Sequence, residues 1–570
     1  MGQTTASHSK IRKGRGWRRL GRVFLAFVAL VALLAILFAI DVYIPAPLEK
    51  GETSELPERT TDQEGRYHVG NNWLGRDSFG LYEVYIEGAD LERGLAYGSL
   101  AKELIVHQEE VFIARIQAMI PGKHQLQFLK YFSAWFDRDI DEYVPMEYQR
   151  EIYGVSRAFS DSFDVVGPKF IRALNYHAAH DIGHALQDLA MVGCTSFAAW
   201  GDRTADEELL VARNFDFFMG EEFARDKLIT FIKPDDGIPH VLVSWGGFMG
   251  ATSAMNLEGL TITINASRSS IPSGARMPIS LLARTIVQHA RTIDEAIAIA
   301  KEHEVFVSES ILVSSAADGR AVLIEKAPDG MGVLDPDTDL VVCSNHYQSD
   351  HFVGTEVNLA NIRESDSMAR YKRMLHLVDS TAKLDPSNAV TILRDQKGPG
   401  GTDVGMGDPS TINQLLAHHA VVFQPTERRM WVSNSPYQCG AFVCYDLRDV
   451  FARCATGQVT GPIFDTTRTI AEDPFVRTPE FAGHERWQRV RMAITERVLT
   501  GNSFTLSASE EASFVASNPK SWLTYAALGD LRKAENKCAA AIDHYQMALT
   551  LPVSSMQEKE KLEDKLVACS

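Results

Sequence analysis

An uninterrupted apolar segment near the N-terminus is the strongest hydrophobic pattern in the chain. Val23 to Ile40 contains no charged or strongly polar residue, and seven Lys and Arg residues precede it. As a helix the segment would extend roughly 27 Å, close to the thickness of the hydrocarbon core of a bilayer. We therefore predict a basic cytoplasmic segment over 1–22 and a transmembrane signal-anchor over 23–44, with the remaining chain exported. A cleaved signal peptide is the alternative, and it would make the protein secreted.

The next part of the chain changes pattern twice. Residues 45–75 are rich in Pro, Gly, Glu and Thr, which is typical of a linker. Leu81 to Ile86 then alternates in the manner of a strand, and residues 105–190 carry mostly helical patterns. We predict that 76–193 forms a mainly helical N-terminal region, the pro-segment or α-chain of a processed protein.

Beyond residue 194, short apolar runs are separated by Gly, Asp and Pro, which predicts strands. The predicted strands are 195–200, 209–214, 228–233, 240–245, 260–265, 310–315, 321–326, 340–343, 419–424 and 429–433. Helical patterns over 278–290, 293–303 and 365–378 interrupt them. These blocks predict an α+β core over 194–475.

The last part of the chain, 476–570, is helical in pattern. Leu528, Gly529, Ala541, Tyr545 and Ala548 are spaced nearly as in one tetratricopeptide unit. One unit does not make a stable solenoid, for which about three are needed. We predict a C-terminal helical hairpin that packs on the main domain, with a protein partner as the alternative role.

Composition limits the classes of partner. A length of 570 residues predicts two or more structural units, and a net charge of −17 argues against a nucleic-acid partner. Seven cysteines in a chain of this size do not make a disulfide scaffold. Cys439 and Cys444 are close enough in sequence to pair, although the sequence alone does not decide it. The odd count leaves at least one free thiol, for which Cys194 is the candidate.

Cys194 directly follows Gly193 and opens the segment Cys-Thr-Ser-Phe. This arrangement suits an enzyme that cleaves its own backbone between Gly193 and Cys194 and then uses the new N-terminal cysteine as nucleophile. A terminal cysteine supplies both the attacking thiol and an α-amine, with a reference pKa of about 7.7–8.0, that can accept and return the proton. The sequence therefore predicts an N-terminal-nucleophile amidase or acyltransferase.

Two charged residues lie at the end of the next predicted strand. Arg213 and Asp216 are three positions apart and could both face Cys194 from a neighbouring strand. A guanidinium beside a thiol favours the thiolate, and a carboxylate could hold the α-amine. The alternative for this pair is an ordinary ion pair at a strand end.

Three further polar residues lie where apolar strands end or helices begin. Asn265 ends the run Thr-Ile-Thr-Ile, where its amide could donate to the oxyanion of a tetrahedral intermediate. Asn345 follows the apolar run that ends at Cys343, and Arg370 offers a fixed cation early in a predicted helix. Taken singly, each Asn is more often a turn or cap residue.

Together these segments resemble one family. The motifs are Gly193-Cys194-Thr195-Ser196, Ala212-Arg213-Asn214-Phe215-Asp216, Met255-Asn256-Leu257-Glu258-Gly259-Leu260 and Ser344-Asn345. They resemble the isopenicillin-N acyltransferase family, which is similar in its core to choloylglycine hydrolases, penicillin V acylases and acid ceramidases. The resemblance covers about residues 78–450 and follows the order of motifs in the family.

The resemblance implies a four-layer αββα N-terminal-nucleophile hydrolase sandwich that matures by self-cleavage before Cys194. It implies Cys194 as nucleophile, with Arg213 and Asp216 beside it. It further implies Asn265 on the oxyanion side, Asn345 as a later site residue and Arg370 as the Arg of a Ser-x-x-Arg-aromatic helix. No metal or organic cofactor is required by this chemistry.

Three other patterns compete for a functional role. His177, His180 and His184 are spaced for one helix face, but packing is the preferred interpretation over zinc because no HExxH frame is present. The Gly-rich stretch over 398–407 lacks the Lys-Ser/Thr of a phosphate loop and is interpreted as a mobile loop. His418 and His419 lie in an apolar strand and are predicted to be packed.

Three hypotheses follow for function. The preferred one is an exported, membrane-anchored amidase or acyltransferase that works through a thioester on linear amides, such as lipid-like N-acyl amides or β-lactam side chains. The second is a catalytically inactive hydrolase-like protein that binds partners. The third is a cysteine hydrolase without self-cleavage, which would need a histidine within reach of Cys194. The sequence does not decide between hydrolysis and acyl transfer.

Overall fold

The computed structural model describes residues 13–119, 130–131, 134–185, 193–217, 220, 222–268, 274–457 and 459–569. Strands and helices alternate in blocks within these residues, which confirms the predicted α+β class. The strands are β1 Thr60–Thr61, β2 Tyr67–Val69, β3 Asn72–Arg76, β4 Tyr82–Gly88, β5 Thr195–Ala199, β6 Leu210–Phe215, β7 Leu228–Pro234, β8 His240–Ser244, β9 Ser253–Asn256, β10 Leu260–Ala266, β11 Glu309–Ser315, β12 Arg320–Ala327, β13 Gly330–Leu334, β14 Leu340–Cys343, β15 His419–Gln424, β16 Arg429–Ser433, β17 Phe442–Asp446 and β18 Asp465–Ile470.

The helices of the described residues are α1 Lys13–Asp41, α2 Asp90–Leu100, α3 Lys102–Met119, α4 Ile140–Tyr143, α5 Met146–Ser156, α6 Lys169–Ala185, α7 Ile279–His289, α8 Ile293–Glu302, α9 Glu356–Glu364, α10 Ser367–Ser380, α11 Pro386–Leu393, α12 Leu447–Cys454, α13 Pro479–Thr500, α14 Ala508–Ser517, α15 Trp522–Ala534, α16 Cys538–Thr550 and α17 Met556–Val567.

The larger sheet has the strand order β1-β2-β3-β4-β7-β8-β9-β10-β11-β12-β13. β4 and β7 pair in parallel, and the other neighbours pair antiparallel. Its central strands are apolar on both faces: Ile262 and Ile264 of β10 join one core cluster, whereas Leu312 of β11 joins another. A sheet buried on both faces follows from this composition, since each apolar face must be covered.

The smaller sheet has the order β14-β5-β6-β15-β16-β17-β18, with antiparallel neighbours. Ser196 of β5 is paired with Arg213 of β6, and Thr195 with Asn214. The start of β5 and the end of β6 therefore lie side by side at the same end of the sheet. This register places Cys194 beside the Arg213 to Asp216 segment.

Three large apolar clusters stack across the fold. One contains residues of α2, α5 and α7 together with one face of the larger sheet, such as Leu95, Ile152, Ile286 and Val313. The second joins residues of both sheets, and the third contains the other face of the smaller sheet together with residues of α10 and α11. Burial of these apolar faces is the main favourable contribution to folding.

Close backbone contact between α2 and α5 depends on two glycines. A Cβ on Gly94 would overlap the carbonyl of Glu151, and a Cβ on Gly154 would lie 2.5 Å from the nitrogen of Leu95. Beside this crossing, the buried Glu151 carboxylate accepts hydrogen bonds from Arg93 and Arg284. Two cations on one carboxylate offset the cost of burying it, and the pairing lowers the Glu151 pKa against the opposing effect of burial.

The N-terminal helix α1 contains the segment Arg22–Asp41, which has a mean hydropathy of 3.2 and is long and apolar enough to cross a membrane. Its large apolar side chains are exposed in the folded chain. Such a helix could be a membrane anchor or a signal sequence.

The structure differs from the predicted linker over 45–75. Residues from Thr60 onward form β1, β2 and β3 at the edge of the larger sheet. Trp73 and Leu74 of β3 are buried, and Arg66 donates to the carbonyl of Val459 at 2.7 Å. The Pro- and Glu-rich sequence does not predict these short strands. They are held by a few buried contacts and not by a long apolar run.

The C-terminal part contains more than the predicted hairpin, since α13 to α17 are five helices. α15 and α16 pack closely where a Cβ on Gly529 would overlap the ring of Tyr545. The helices contact the loop that precedes β15: Trp522 Nε1 donates to Asp408 Oδ2 at 3.1 Å, and Gln488 Nε2 donates to Leu415 O at 3.2 Å. The sequence pattern of these helices predicts their secondary structure, whereas these contacts determine where they pack on the rest of the protein.

Candidate functional site

Cys194 lies directly before β5 and is fully buried. Its thiol accepts a hydrogen bond from Arg213 Nη2 at 3.6 Å. Arg213 lies on β6, opposite Ser196 of β5, and the register of the two strands therefore brings it to the thiol. Among the described residues, the hydrogen-bond partners of the thiol thus include no histidine, which is the group that a cysteine hydrolase without self-cleavage would need.

The backbone of Gly193 is held on both sides. Its nitrogen donates to Asp216 O at 3.0 Å, and its carbonyl oxygen accepts from Arg370 Nη1 and Gln414 Nε2, each at 2.8 Å. A Cβ at this position would lie 2.5 Å from Gln414 Nε2. A side chain at this position would therefore displace the Gln414 amide.

Arg213 connects the thiol to the end of the larger sheet. Its Nη1 donates to Thr252 O at 3.0 Å and to Ser253 Oγ at 2.6 Å, and its Nη2 also donates to Ile264 O. The guanidinium carbon lies 4.3 Å from the centroid of the Phe215 ring. These contacts fix the cation beside Cys194. Arg213 is fully buried and is therefore not part of an ordinary ion pair at the surface.

Burial dominates the protonation of the thiol in the uncleaved chain. It raises the pKa of Cys194 to about 11, although the Arg213 charge acts in the opposite direction. The sequence predicted a thiolate favoured by Arg213, and the structure differs because complete desolvation outweighs one neighbouring cation. The thiol is therefore protonated at neutral pH as long as residue 193 remains attached.

Asp216 follows β6 and is also fully buried. Burial raises the pKa of its carboxyl to about 7, with the charges of Arg370 and Arg213 acting in the opposite direction. Oδ2 accepts from Gln414 Nε2 at 3.4 Å, while Oδ1 has no hydrogen-bond partner within the described residues. A carboxyl with this pKa can gain or lose a proton near neutral pH, and its unpartnered oxygen could accept a hydrogen bond from an amine.

Arg370 lies in the first turn of α10 and is almost fully buried. Beyond Gly193, its Nη1 donates to Cys194 O at 2.8 Å and to Asn345 Oδ1 at 2.9 Å. Its Nη2 donates to Asp366 Oδ1 at 2.9 Å. Charge-assisted bonds of this kind are among the stronger hydrogen bonds in proteins, so this guanidinium fixes the backbone on both sides of the Gly193–Cys194 bond.

The two predicted asparagines differ in their contacts. Asn345 Nδ2 donates to Ala266 O at 2.8 Å, so its amide bridges β10 and the Arg370 guanidinium. Asn265 Nδ2 makes long bonds to Cys343 O, at 3.3 Å, and to Ser344 O, at 3.4 Å. Asn345 therefore orients Arg370, and the Asn265 donor is directed at two carbonyls in the uncleaved chain.

Two polar residues in the site were not identified from the sequence. Gln414, in the loop before β15, contacts Gly193 and Asp216, and Ser253 at the start of β9 accepts from Arg213. His419 Nε2 lies 2.9 Å from the same Ser253 oxygen. No recognisable motif surrounds Gln414 or Ser253, and only tertiary contacts bring them to the thiol.

An aromatic cluster packs around the thiol. Cys194 belongs to an apolar cluster with Phe215, Phe217, Phe223, Trp245 and Phe248. The Trp245 and Phe248 rings stack with centroids 4.1 Å apart. Four rings of this cluster, Phe217, Phe223, Trp245 and Phe248, also line a cavity together with Gln108, Phe112, Tyr176, Gly246 and Gly247. Such a cavity can accept an apolar group that lies next to a reacting carbonyl.

Two further patterns from the sequence are the histidines of α6 and the pair Cys439 and Cys444. The His177 ring is buried, with Nδ1 2.8 Å from Ala173 O and Nε2 accepting from Met249 N at 2.9 Å. The side chains of His180 and His184 lie outside the described part of the chain, and within that part no group of His, Cys, Asp and Glu could hold a metal ion. Cys439 and Cys444 are both buried free thiols and do not pair.

Part of the site lies in a segment that matches a family model. The family model described as acyl-coenzyme A:6-aminopenicillanic acid acyl-transferase matches residues 203–435. This match confirms the resemblance predicted from the sequence, and it includes Arg213, Asp216, Asn265, Asn345 and Arg370. The matched segment begins after Cys194.

Among individual proteins, an uncharacterized protein of Archaeoglobus fulgidus is 27% identical over 369 residues, which cover 57% of this chain and 59% of that protein. This chain thus spans less than two thirds of that relative's length. A Caenorhabditis elegans N-acylethanolamine-hydrolyzing acid amidase ortholog is 16% identical with a TM-score of 0.30, covering 41% of this chain and 93% of that one. A mutant of the conjugated bile acid hydrolase from Clostridium perfringens is 12% identical with a TM-score of 0.30, covering 42% and 89% respectively.

Proposed function

We propose that the protein is an autoproteolytic cysteine N-terminal-nucleophile enzyme that cleaves or transfers the acyl group of a linear amide. The observation that carries this proposal is the contact of two buried guanidinium groups with the Gly193–Cys194 segment, Arg213 at the thiol and Arg370 at both carbonyls. The family match over residues 203–435 supports amide-acting chemistry. The stacking of helices, two sheets and helices around three apolar clusters supports an αββα sandwich.

Self-cleavage would give the site the proton acceptor that the reaction with a substrate requires. Scission of the Gly193–Cys194 bond gives Cys194 a free α-amine, which can accept the thiol proton. Asp216, with an unpartnered oxygen next to this segment, would hold the new amine. Arg213, which contacts the sulfur, would stabilise the resulting thiolate.

Acyl transfer would proceed through a thioester. The Cys194 sulfur attacks the amide carbonyl of the substrate, the carbon–nitrogen bond breaks, and the leaving amine takes the proton held by the α-amine. Water or another amine then attacks the thioester and restores the thiol. Asn265 is the proposed oxyanion donor, since only long hydrogen bonds to Cys343 and Ser344 occupy its amide.

The aromatic cluster around Cys194, four rings of which line a cavity, supports an apolar acyl group as the part of the substrate next to the reacting carbonyl. N-acyl amides with lipid-like chains and amides of β-lactam side chains both have this character. The apolar helix α1 supports a membrane-anchored or secreted enzyme that acts on the exported side. A protein partner at the C-terminal helices stays a prediction.

The direct test is the state of one peptide bond. Purified full-length protein should contain a fragment that begins Cys-Thr-Ser-Phe, as read by N-terminal sequencing. The Cys194→Ala variant should stay whole and inactive, and Cys343→Ala, which removes another buried free thiol, serves as the matched control. An intact Gly193–Cys194 bond in active wild-type protein would contradict the proposal. A panel of N-acyl amino acids, β-lactams and ceramide-type amides would then identify the substrate class.

A further inference from the structure

We propose that Gln414 and Arg370 form an oxyanion site for self-cleavage, built around the carbonyl oxygen of Gly193 and separate from the site that serves the substrate. The inference rests on the proposed function, because it concerns how the Gly193–Cys194 bond is broken. Gln414 has no motif in the sequence, and it contacts the carbonyl of Gly193 from a distant loop.

The geometry at this carbonyl is that of an acceptor for developing negative charge. Arg370 Nη1 and Gln414 Nε2 both donate to Gly193 O at 2.8 Å, from helix α10 and from the loop before β15. All of these groups lie in the buried interior, where electrostatic interactions are stronger than in water. One donor would satisfy an ordinary carbonyl, whereas two converging donors, one of them charged, are suited to an alkoxide.

The absence of a side chain at Gly193 makes room for the Gln414 amide. A Cβ on Gly193 would lie 2.5 Å from Gln414 Nε2 and 2.8 Å from Gln414 Oε1. On the other side, the Gly193 nitrogen is fixed by its bond to Asp216 O at 3.0 Å. The amide of Gln414 can therefore approach the scissile carbonyl only because residue 193 has no side chain.

The loop that carries Gln414 is held by the C-terminal helices. Trp522 Nε1 donates to Asp408 Oδ2, and Gln488 Nε2 donates to Leu415 O. Arg370 Nε in turn donates to Pro409 O at 3.1 Å. The two donors of the proposed site are thus tied to each other and to helices outside the family match, which gives these helices a positioning role.

Self-cleavage would proceed as an internal acyl shift from nitrogen to sulfur, followed by hydrolysis. The Cys194 sulfur attacks the Gly193 carbonyl carbon through a five-membered ring, and the carbonyl oxygen takes the negative charge that Arg370 and Gln414 stabilise. The carbon–nitrogen bond then breaks, the thiol proton passes to the Cys194 nitrogen, and a thioester links the two residues. Water hydrolyses this thioester to the Gly193 carboxylate and the free thiol.

The test is the rate of self-cleavage of the full chain made by cell-free synthesis and followed by pulse–chase. Gln414→Met keeps the size of the side chain but removes the donor, and we expect cleavage to slow about 100-fold, the effect of losing one oxyanion donor. Gln348→Met is the matched control: Gln348 Nε2 also donates to a backbone carbonyl at 2.8 Å, that of Val342. This control should cleave at the wild-type rate.

A second variant separates charge stabilisation from simple support of the loop. Gln414→Glu should cleave slowly at alkaline pH and regain rate relative to Gln414→Met as the pH falls, because only a protonated carboxyl can donate to Gly193 O. Thermal unfolding in a Cys194→Ala background shows whether the Gln414→Met variant is folded. If it is not, the pH dependence of Gln414→Glu alone tests the inference. Equal cleavage rates for Gln414→Met and wild type would overturn the inference and leave the proposed function intact. A wild-type chain that never cleaves would overturn both.

Discussion

The substitution Gly193→Ala should slow self-cleavage by displacing a neighbouring side chain. The added methyl group would lie 2.5 Å from Gln414 Nε2, a distance that real contacts do not show. The backbone of Gly193 is not among the residues with positive φ, so alanine fits the chain itself. The flexible end of Gln414 must therefore move away and lose its bond to Gly193 O.

The magnitude follows from that one lost donor. Arg370 still contacts the carbonyl, so we expect cleavage to slow by about 10²-fold, at the low end of the effect of removing one oxyanion donor. Because Gly193→Ala and Gln414→Met remove the same interaction, the double variant should be no slower than either single variant. Gly354→Ala is the control, since a Cβ there meets nothing within 4 Å.

The assay is pulse–chase of the full-length chains, with the fragments separated by electrophoresis and the new N-terminus sequenced. Two results would refute the reasoning. One is wild-type cleavage of Gly193→Ala, and the other is a double variant whose rate falls by the product of the two single effects. The second result would mean that alanine acts through something other than Gln414.

Three further outcomes are expected. Burial raises the pKa of the Cys194 thiol to about 11 in the uncleaved chain, whereas the free α-amine of mature protein can accept the thiol proton. Iodoacetamide at neutral pH should therefore label Cys194 far faster in mature protein than in the Gly193→Ala precursor. Equal labelling by mass spectrometry would contradict this. Burial raises the pKa of Asp216 from 3.8 to about 7 in the folded state, so ionisation costs the folded state more free energy than the unfolded one. The stability of an uncleavable Cys194→Ala chain should therefore fall as the pH rises between these two values. Urea unfolding measures this, and the added substitution Asp216→Asn should weaken the trend. The sulfurs of Cys538 and Cys569 lie 3.2 Å apart near the surface, so protein exported to an oxidising compartment should lose two hydrogens in mass as a disulfide forms, whereas Cys538→Ser should not.

Much of the local structure follows from periodicity in the sequence. The predicted strand 228–233 corresponds to Leu228–Pro234, and the predicted helix 278–290 to Ile279–His289. Both are apolar segments with clear boundaries, which is where such patterns are most informative. The strands between Thr60 and Arg76 were missed because their residues are polar at most positions, and Trp73 with Leu74 supplies most of their burial.

The sequence by itself determined the chemistry that the chain can offer. It contains a glycine before a cysteine, an Arg and an Asp at the end of the next strand, and an apolar N-terminal helix. These features are local, so composition, periodicity and motif order are enough to identify them.

Only the tertiary structure decided how those groups behave. Gln414 contacts Gly193 across 221 positions of sequence, through a loop held by C-terminal helices. Complete burial, rather than the neighbouring Arg213, sets the direction of the Cys194 pKa. The physical reason is the same in both cases: desolvation and convergent hydrogen bonding depend on what every packed element contributes at one point in space, and no local pattern encodes that sum.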